Sequence, residues 1–341
     1  MIKNGSSKIL TINILLYACV VILNIGCNES SLTTISTAPA AAPADDLLTQ
    51  ATRIIREGLA DQDPLIRARS IEIVATTKQI KLIPKVQKLL RDEFITVGFA
   101  AALAIGDLEY SLAKSSIRHL LKDENENVRI AAAYAMSRLG HPENLELLRK
   151  AIISNDQTVR ANAALLLGKS GDKSTLKFLY WALRHKDSDD KVRFQTIEAI
   201  AMLGDERIYP KIWIMLISTY ADDRVMGVKS MGALGTAKAQ NALITKLDDD
   251  ILEVRLAAAE QLGMLGDTSG EPEVLDVFTN KKLTADLDKK SLERVNMLTA
   301  LAIGQIRTTS LTKFLPQLLR NESKLVRIAA AKAVFQSIKR N

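Results

Sequence analysis

Val128-Arg129-Ile130-Ala131-Ala132-Ala133, Val159-Arg160-Ala161-Asn162-Ala163-Ala164, Val254-Arg255-Leu256-Ala257-Ala258-Ala259 and Val326-Arg327-Ile328-Ala329-Ala330-Ala331 are four copies of one phrase. Each has an aliphatic opener, an arginine and a run dominated by alanine. Weaker copies open at Ile66-Arg67, Val97-Gly98, Val192-Arg193, Met226-Gly227 and Val295-Asn296, which makes nine units. Successive openers lie 31, 31, 31, 33, 34, 28, 41 and 31 residues apart. A period of that size marks a supersecondary unit that cannot bury its apolar side alone and must stack on copies of itself.

Ahead of the openers, paired aliphatics such as Val86 with Leu89-Leu90, Ile117 with Leu120-Leu121 and, after Phe314, Leu315 with Leu318-Leu319 recur three and four residues apart. That spacing predicts a first helix with one buried side. A turn then carries Asp61, Asp92, Asp123, Asp187 or Asp249, five residues before the opener. A carboxylate there is expected to accept from the orphan amides at the start of a second helix. Gly140, Gly171, Gly204 and Gly266 stand twelve residues after their openers, where a helix end needs positive φ, and Asp172, Asp205 and Asp267 follow as caps for the next helix.

The recurring arginine sits near a helix N-terminus, where the macrodipole disfavours a cation. Turn aspartates of the same and adjoining units are its expected partners, giving a structural ladder of Asp92, Asp123, Arg129, Arg160, Asp187, Arg193, Asp249, Arg255 and Arg327. An Asp in the turn with Val-Arg opening the second helix, as in Asp123/Val128/Arg129 and Asp249/Val254/Arg255, resembles HEAT repeats of the HEAT-like type first associated with phycobilisome lyases. The resemblance implies an all-α fold: an α-α superhelix, or HEAT-like solenoid, of about nine helix pairs over residues 51–341. The ladder is expected to be weakest at Gly98, Gly227 and Asn296, where the Arg is missing, and at Lys290 and Asn321, where the turn Asp is missing. The 41-residue step reads as a lengthened exposed turn around Thr279 to Leu292.

Composition agrees with close helix contacts, since apolar residues make up 47% of the chain but aromatics only 4%. The formal charge is +7, and because Lys3 and Lys8 precede the repeats along with Glu29, Asp45 and Asp46, the region from residue 51 carries +8. The basic residues are spread over every unit, the pattern of a solvated surface. Lys3 and Lys8 flank the start of an uncharged apolar run, Ile9 to Gly26, and the polar Cys27-Asn28-Glu29-Ser30 follows. Leu23-Asn24-Ile25-Gly26-Cys27 resembles the lipobox of bacterial lipoproteins, although Asn24 stands where an aliphatic residue is usual. Leu16-Tyr17-Ala18-Cys19 fits the spacing better but would leave Val20 to Leu23 exposed after cleavage. The expected organisation is a signal peptide at 1–26, a lipidated Cys27 with a flexible tether to residue 50, and the solenoid from 51, outside the cytoplasm on the bacterial envelope. An uncleaved membrane anchor is the alternative.

If second helices line the concave face, residues three, six and ten after each opener face a partner. Leu103, Tyr134 and Leu165, flanked by Arg138 and Lys169 and ending near Glu198, then form a candidate partner-binding stripe. The competing reading is that tight curvature buries this row against the next unit. Trp181 and Trp213, beside Phe178, Tyr180 and Tyr209, read as core or outer-face packing in preference to a ligand cage.

No cofactor, metal site or catalytic group is expected. His119, His141 and His185 are followed by Leu, Pro and Lys, unlike the His-Glu steps of HEAT-like hydroxylases, and both cysteines precede the repeats. The reading is a tethered scaffold for an unknown protein partner. A chromophore lyase or isomerase-like clamp is the alternative that the resemblance implies. A nucleic-acid-binding solenoid is a third, and none is expected because Glu72, Glu198 and Glu260 interrupt a phosphate track on the concave rows.

Overall fold

The computed structural model describes residues 44–338, so the leader, Cys27 and most of the proposed tether lie outside the described residues. Among the described residues the regular elements are helices. Nine second helices, one for each of units 1 to 9, span Pro64–Thr76, Ile95–Asp107, Glu126–Arg138, Gln157–Lys169, Asp190–Met202, Ala221–Leu234, Leu252–Met264, Lys289–Ile306 and Lys324–Ser337. Each packs on the second helix of the next unit, with shorter first helices outside that row. The described residues form an all-α superhelix of nine helix pairs.

Unit 1 starts earlier than the composition suggested. Its first helix is Ala44–Gly58, and Leu47, Ala51, Ile55 and Leu59, four residues apart, form its buried stripe. Asp46 suits the positive end of this helix and accepts from the Gln50 amide at 2.8 Å. The 41-residue step is also shared differently. Residues 280–288 form the exposed turn, but the Asp288 carboxylate accepts from the Ser291 amide at 2.7 Å and starts the helix of unit 8 a turn early.

The arginine register holds in unit 6 as well, three residues before the position read from sequence. Arg224 donates to the Ser218 carbonyl six residues back at 3.0 Å. Arg129 does the same to Asp123 at 2.8 Å and Arg327 to Asn321 at 2.7 Å. The apparent steps of 34 and 28 are therefore two steps of 31, and the Arg that seemed absent at Gly227 is present.

These bonds also correct the ladder. The guanidinium is held by carbonyls of its own turn, whose partial negative charge offsets the unfavourable dipole. Arg255 likewise takes the Asp249 carbonyl at 2.8 Å, with Glu273 at 2.7 Å. Carboxylates of the next turn join in only where the geometry allows: Arg67 to Asp92 at 2.8 Å and Arg224 to Asp249 at 2.9 Å. Arg160 instead takes the Ser154 carbonyl and the Ser188 hydroxyl (2.7 and 3.1 Å), because the 33-residue step displaces Asp187. Asp187 offers only its carbonyl, to Gln157. Arg193 makes a local surface pair with Asp190. The turn carboxylates accept from the amide two residues on, ahead of the helix: Asp92 from Phe94, Asp123 from Asn125 and Asp249 from Ile251. Asn321 does the same for Ser323, so its lack of charge breaks nothing.

Eleven residues past the arginine position the backbone is left-handed in units 1 to 8. Glycine supplies this five times, but Lys78 (φ 53°), Glu109 (φ 50°) and Arg307 (φ 62°) adopt it without that freedom. Lys78→Gly and Arg307→Gly should each stabilise the fold by about 1 kcal/mol, read as a raised denaturation midpoint. The caps that follow behave as expected: Asp172, Asp205 and Asp267 accept from the amides of Ser174, Arg207 and Ser269 at 2.9, 3.1 and 2.8 Å.

Hydrogen bonds from the Ser174 hydroxyl, the Arg207 guanidinium and the Ser269 hydroxyl hold these three carboxyls below their ordinary value of 3.8. Their contribution is complete above the unfolded value and is lost as pH falls through the lower folded values. Stability should therefore fall with acid below pH ~4, and less steeply in an Asp172→Asn/Asp267→Asn variant, as followed by far-UV circular dichroism.

The superhelix comes back on itself. The first helix of unit 1 lies along Lys324–Ser337 of unit 9, in the place that a tenth unit would take. The Lys324 ammonium reaches both oxygens of Asp61 (3.0 and 2.7 Å), completing the turn contacts across the seam. Burial pushes the Asp61 carboxyl up, but Lys324 and the Asp63 amide outweigh this and hold it low. The described units thus form a closed ring.

Candidate functional site: the inner row of the ring

Closure decides the fate of the concave face. Five residues past the arginine position each unit points one side chain inward: Glu72, Leu103, Tyr134, Leu165, Glu198, Lys229, Glu260, Leu301 and Lys332. All of these except Glu72 are buried, and Glu72 retains only partial exposure. The expected open stripe at Leu103, Tyr134, Leu165 and Glu198 is corrected: with the ring shut, these side chains face one another across its middle. The flanking Arg138 and Lys169 are tied down. Arg138 bonds Glu109 of unit 2 at 2.6 Å and Lys169 bonds Asp107 at 3.1 Å.

Asp107 is the hub of the aliphatic half. It accepts from the Tyr134 hydroxyl at 2.6 Å, and burial together with that carboxylate pushes the phenol well up. Because Lys169 belongs to unit 4 and Asp107 to unit 2, their pair spans a unit. A cavity of about 40 Å³ lies between Glu72, Leu103, Asp107, Leu165 and Lys169, room on the scale of a water.

The other half of the row is charged, and ring order explains its pattern. Glu198, Lys229 and Glu260 alternate in units 5 to 7, and both Lys332 of unit 9 and Glu72 of unit 1 act on Glu260. Glu198 accepts from Gln195 at 3.0 Å, and Arg69 donates to Glu72 at 3.1 Å. Burial pushes the Glu198 and Glu260 carboxyls up and the Lys229 amine down, each opposed by opposite charges nearby. Lys229 Nζ and one Glu260 oxygen have no hydrogen-bond partner. Glu72 and Arg69 of unit 1 also act on Lys229 of unit 6, so opposite sides of the ring meet electrostatically. The missed member of this set was Lys332. Reading unit 6 from Arg224 would have aligned all nine residues in the sequence.

This arrangement sets buried charges of opposite sign against one another, and the cavity beside it is on the scale of a water. Among the described residues no group of three or more His, Cys, Asp or Glu is placed to hold a metal ion, and no helix is long and apolar enough to cross a membrane. Trp181 and Trp213 lie on the outside, each a little over one-third exposed.

The sequence profile of HEAT repeats matches residues 100–160 and 151–224. No curated protein sequence matches. Among solved structures, the chain is similar to the complex of CpcE and CpcF of phycocyanin lyase from Nostoc, at 18% identity over 73% of this chain and 93% of that one, with a TM-score of 0.42. It is similar to human deoxyhypusine hydroxylase at 15% identity over 77% and 98%, with a TM-score of 0.38. A mutant of Kap121p matches at 14% identity over 83% of this chain and 37% of that one, with a TM-score of 0.35. These likenesses carry no activity over to this chain. The repeat phrase, the stacked helix pairs and the profile match over residues 100–224 agree on HEAT-like repeats.

Proposed function

We propose that the ring is a non-catalytic scaffold that binds another protein on its outside while a lipidated Cys27 tethers it to a membrane. The observation that carries this reading is the filled interior, which leaves recognition to the outer surface. One rim suits a protein partner of basic character. The turns between first and second helices of units 1 to 5 and 7 expose Asp63, Glu93, Glu124, Asp156, Asp189, Asp190 and Asp248, and such a field raises encounter rates with an oppositely charged surface.

A photocrosslinking residue placed at Glu124 or Asp190 in intact cells should capture one and the same protein, and one placed at Leu165 should capture none. Capture from Leu165, or none from the rim, would defeat the reading. Fatty-acid analogue labelling that persists in Cys27→Ser would remove Cys27 as the sole anchor.

A further inference from the structure

The outer wall differs from both the rim and the interior. The first helices of units 2 to 7 (Ile83–Lys88, Lys114–Leu120, Leu145–Ala151, Leu176–Arg184, Tyr209–Leu216 and Ala237–Thr245) carry ten Lys and Arg and a single acid, Glu146. Those of units 5 to 7 carry no acid at all. On this cationic ground stands a cluster of exposed large apolar residues. Aligned by their buried Leu179 and Ile212, the helices of units 5 and 6 place Trp181 and Ile214 at equivalent positions, with Trp213 beside them. Ile217 continues the cluster at 60% exposure, and Tyr220, at the rim position that Asp189 holds in unit 5, is 72% exposed.

None of these side chains is needed to close the core, which Leu179, Ala182, Ile212, Met215 and Leu216 already fill. The aromatic rings have cationic neighbours: Lys238 lies over Tyr209 at 4.0 Å, Tyr209 stacks with Trp213 at 6.2 Å, and Arg207 lies over Tyr180 at 5.3 Å. Exposed Trp, Tyr and Ile set among Lys and Arg match the headgroup boundary of a bilayer. There the amphipathic rings sit between water and acyl chains, and cations meet anionic lipid. Asp187, Asp189 and Asp190 border one edge and would stay in water, which fixes the orientation.

We propose that this wall, centred on Trp181, Trp213, Ile214 and Ile217, docks on a bilayer surface containing anionic lipid. The proposal rests on the membrane location proposed above. It gives the tether a second contact and sets which face of the ring meets the membrane.

The test uses the chain's own reporters, since its only two tryptophans are Trp181 and Trp213. Full-length protein is mixed with vesicles of phosphatidylcholine and phosphatidylglycerol whose acyl chains carry bromine, a contact quencher of tryptophan. Emission should shift to the blue and fall roughly twofold or more, less in high salt. The effect should be lost in Ile214→Glu/Ile217→Glu with helicity retained, both sites being 60% exposed. Vesicle-bound protein with unquenched tryptophan would overturn the docking while leaving the Cys27 anchor standing. Quenching in Cys27→Ser would keep the docking and reject the anchor as its cause. The same spectral change from raising protein concentration alone, or from duplex DNA in place of vesicles, would assign the wall to a second copy or to nucleic acid and also overturn it.

Discussion

Gly168→Val should destabilise the ring by about 3 kcal/mol or more, seen as a lower urea midpoint. A Cβ at Gly168 would lie 2.7 Å from both Cα and Cβ of Ala199 and 3.0 Å from its carbonyl oxygen. Backbone cannot move aside as a flexible side chain does, so the second helices of units 4 and 5 must part and lose their packing. The position is general. Gly106, Gly168, Gly232, Gly263 and Gly304 all stand eight residues past the arginine position, and a Cβ on Gly106 or Gly304 would lie 2.8 Å from the Cα of Ala135 or Ala333 in the next unit. Gly140→Ala is the contrast. Gly140 has open space around it but a φ of 90°, so the change should cost only about 1 kcal/mol of backbone strain. Equal losses at the two sites would show that the helix crossing is not as close as described.

Ile55→Asp should open the ring without dissolving it. Ile55 is fully buried on the helix that faces unit 9, and an uncompensated carboxylate there costs about 3–5 kcal/mol. Repeat arrays are held by nearest-neighbour interfaces. The cheapest relief is therefore to separate units 1 and 9, letting water reach the new charge while most other interfaces survive. Small-angle scattering should show a larger radius of gyration with most of the helicity kept. An unchanged radius and an unchanged midpoint would mean that the seam contributes nothing to holding unit 1 in place.

The helix pairs were legible because their signals are local. Period, apolar spacing, glycine at the helix ends and aspartate in the caps each act within one unit, and Gly140, Gly171, Gly204 and Gly266 do have φ of 90°, 73°, 70° and 85°. The partners of the arginines were misread because the donor type was plain but the acceptor was a carbonyl, which every residue has. Closure was not legible, since curvature accumulates from small rotations between units and no single residue encodes it. The candidate site failed for the same reason: Leu103, Tyr134 and Leu165 have the character of a binding stripe on an open arc and of a core in a shut one. The charged half held the missing clue, because Glu72 and Lys229, like Glu260 and Lys332, are far apart in sequence yet opposite in charge.

A shut circle also sets the number of its parts. An open stack can gain or lose a unit at either end and merely change length. Here a duplicated or deleted unit would leave the two edges out of reach or in collision, and would strand Lys324 from Asp61. Chain length in this protein should therefore vary in the segments between helices, as it does at residues 280–288, and not in the tally of units.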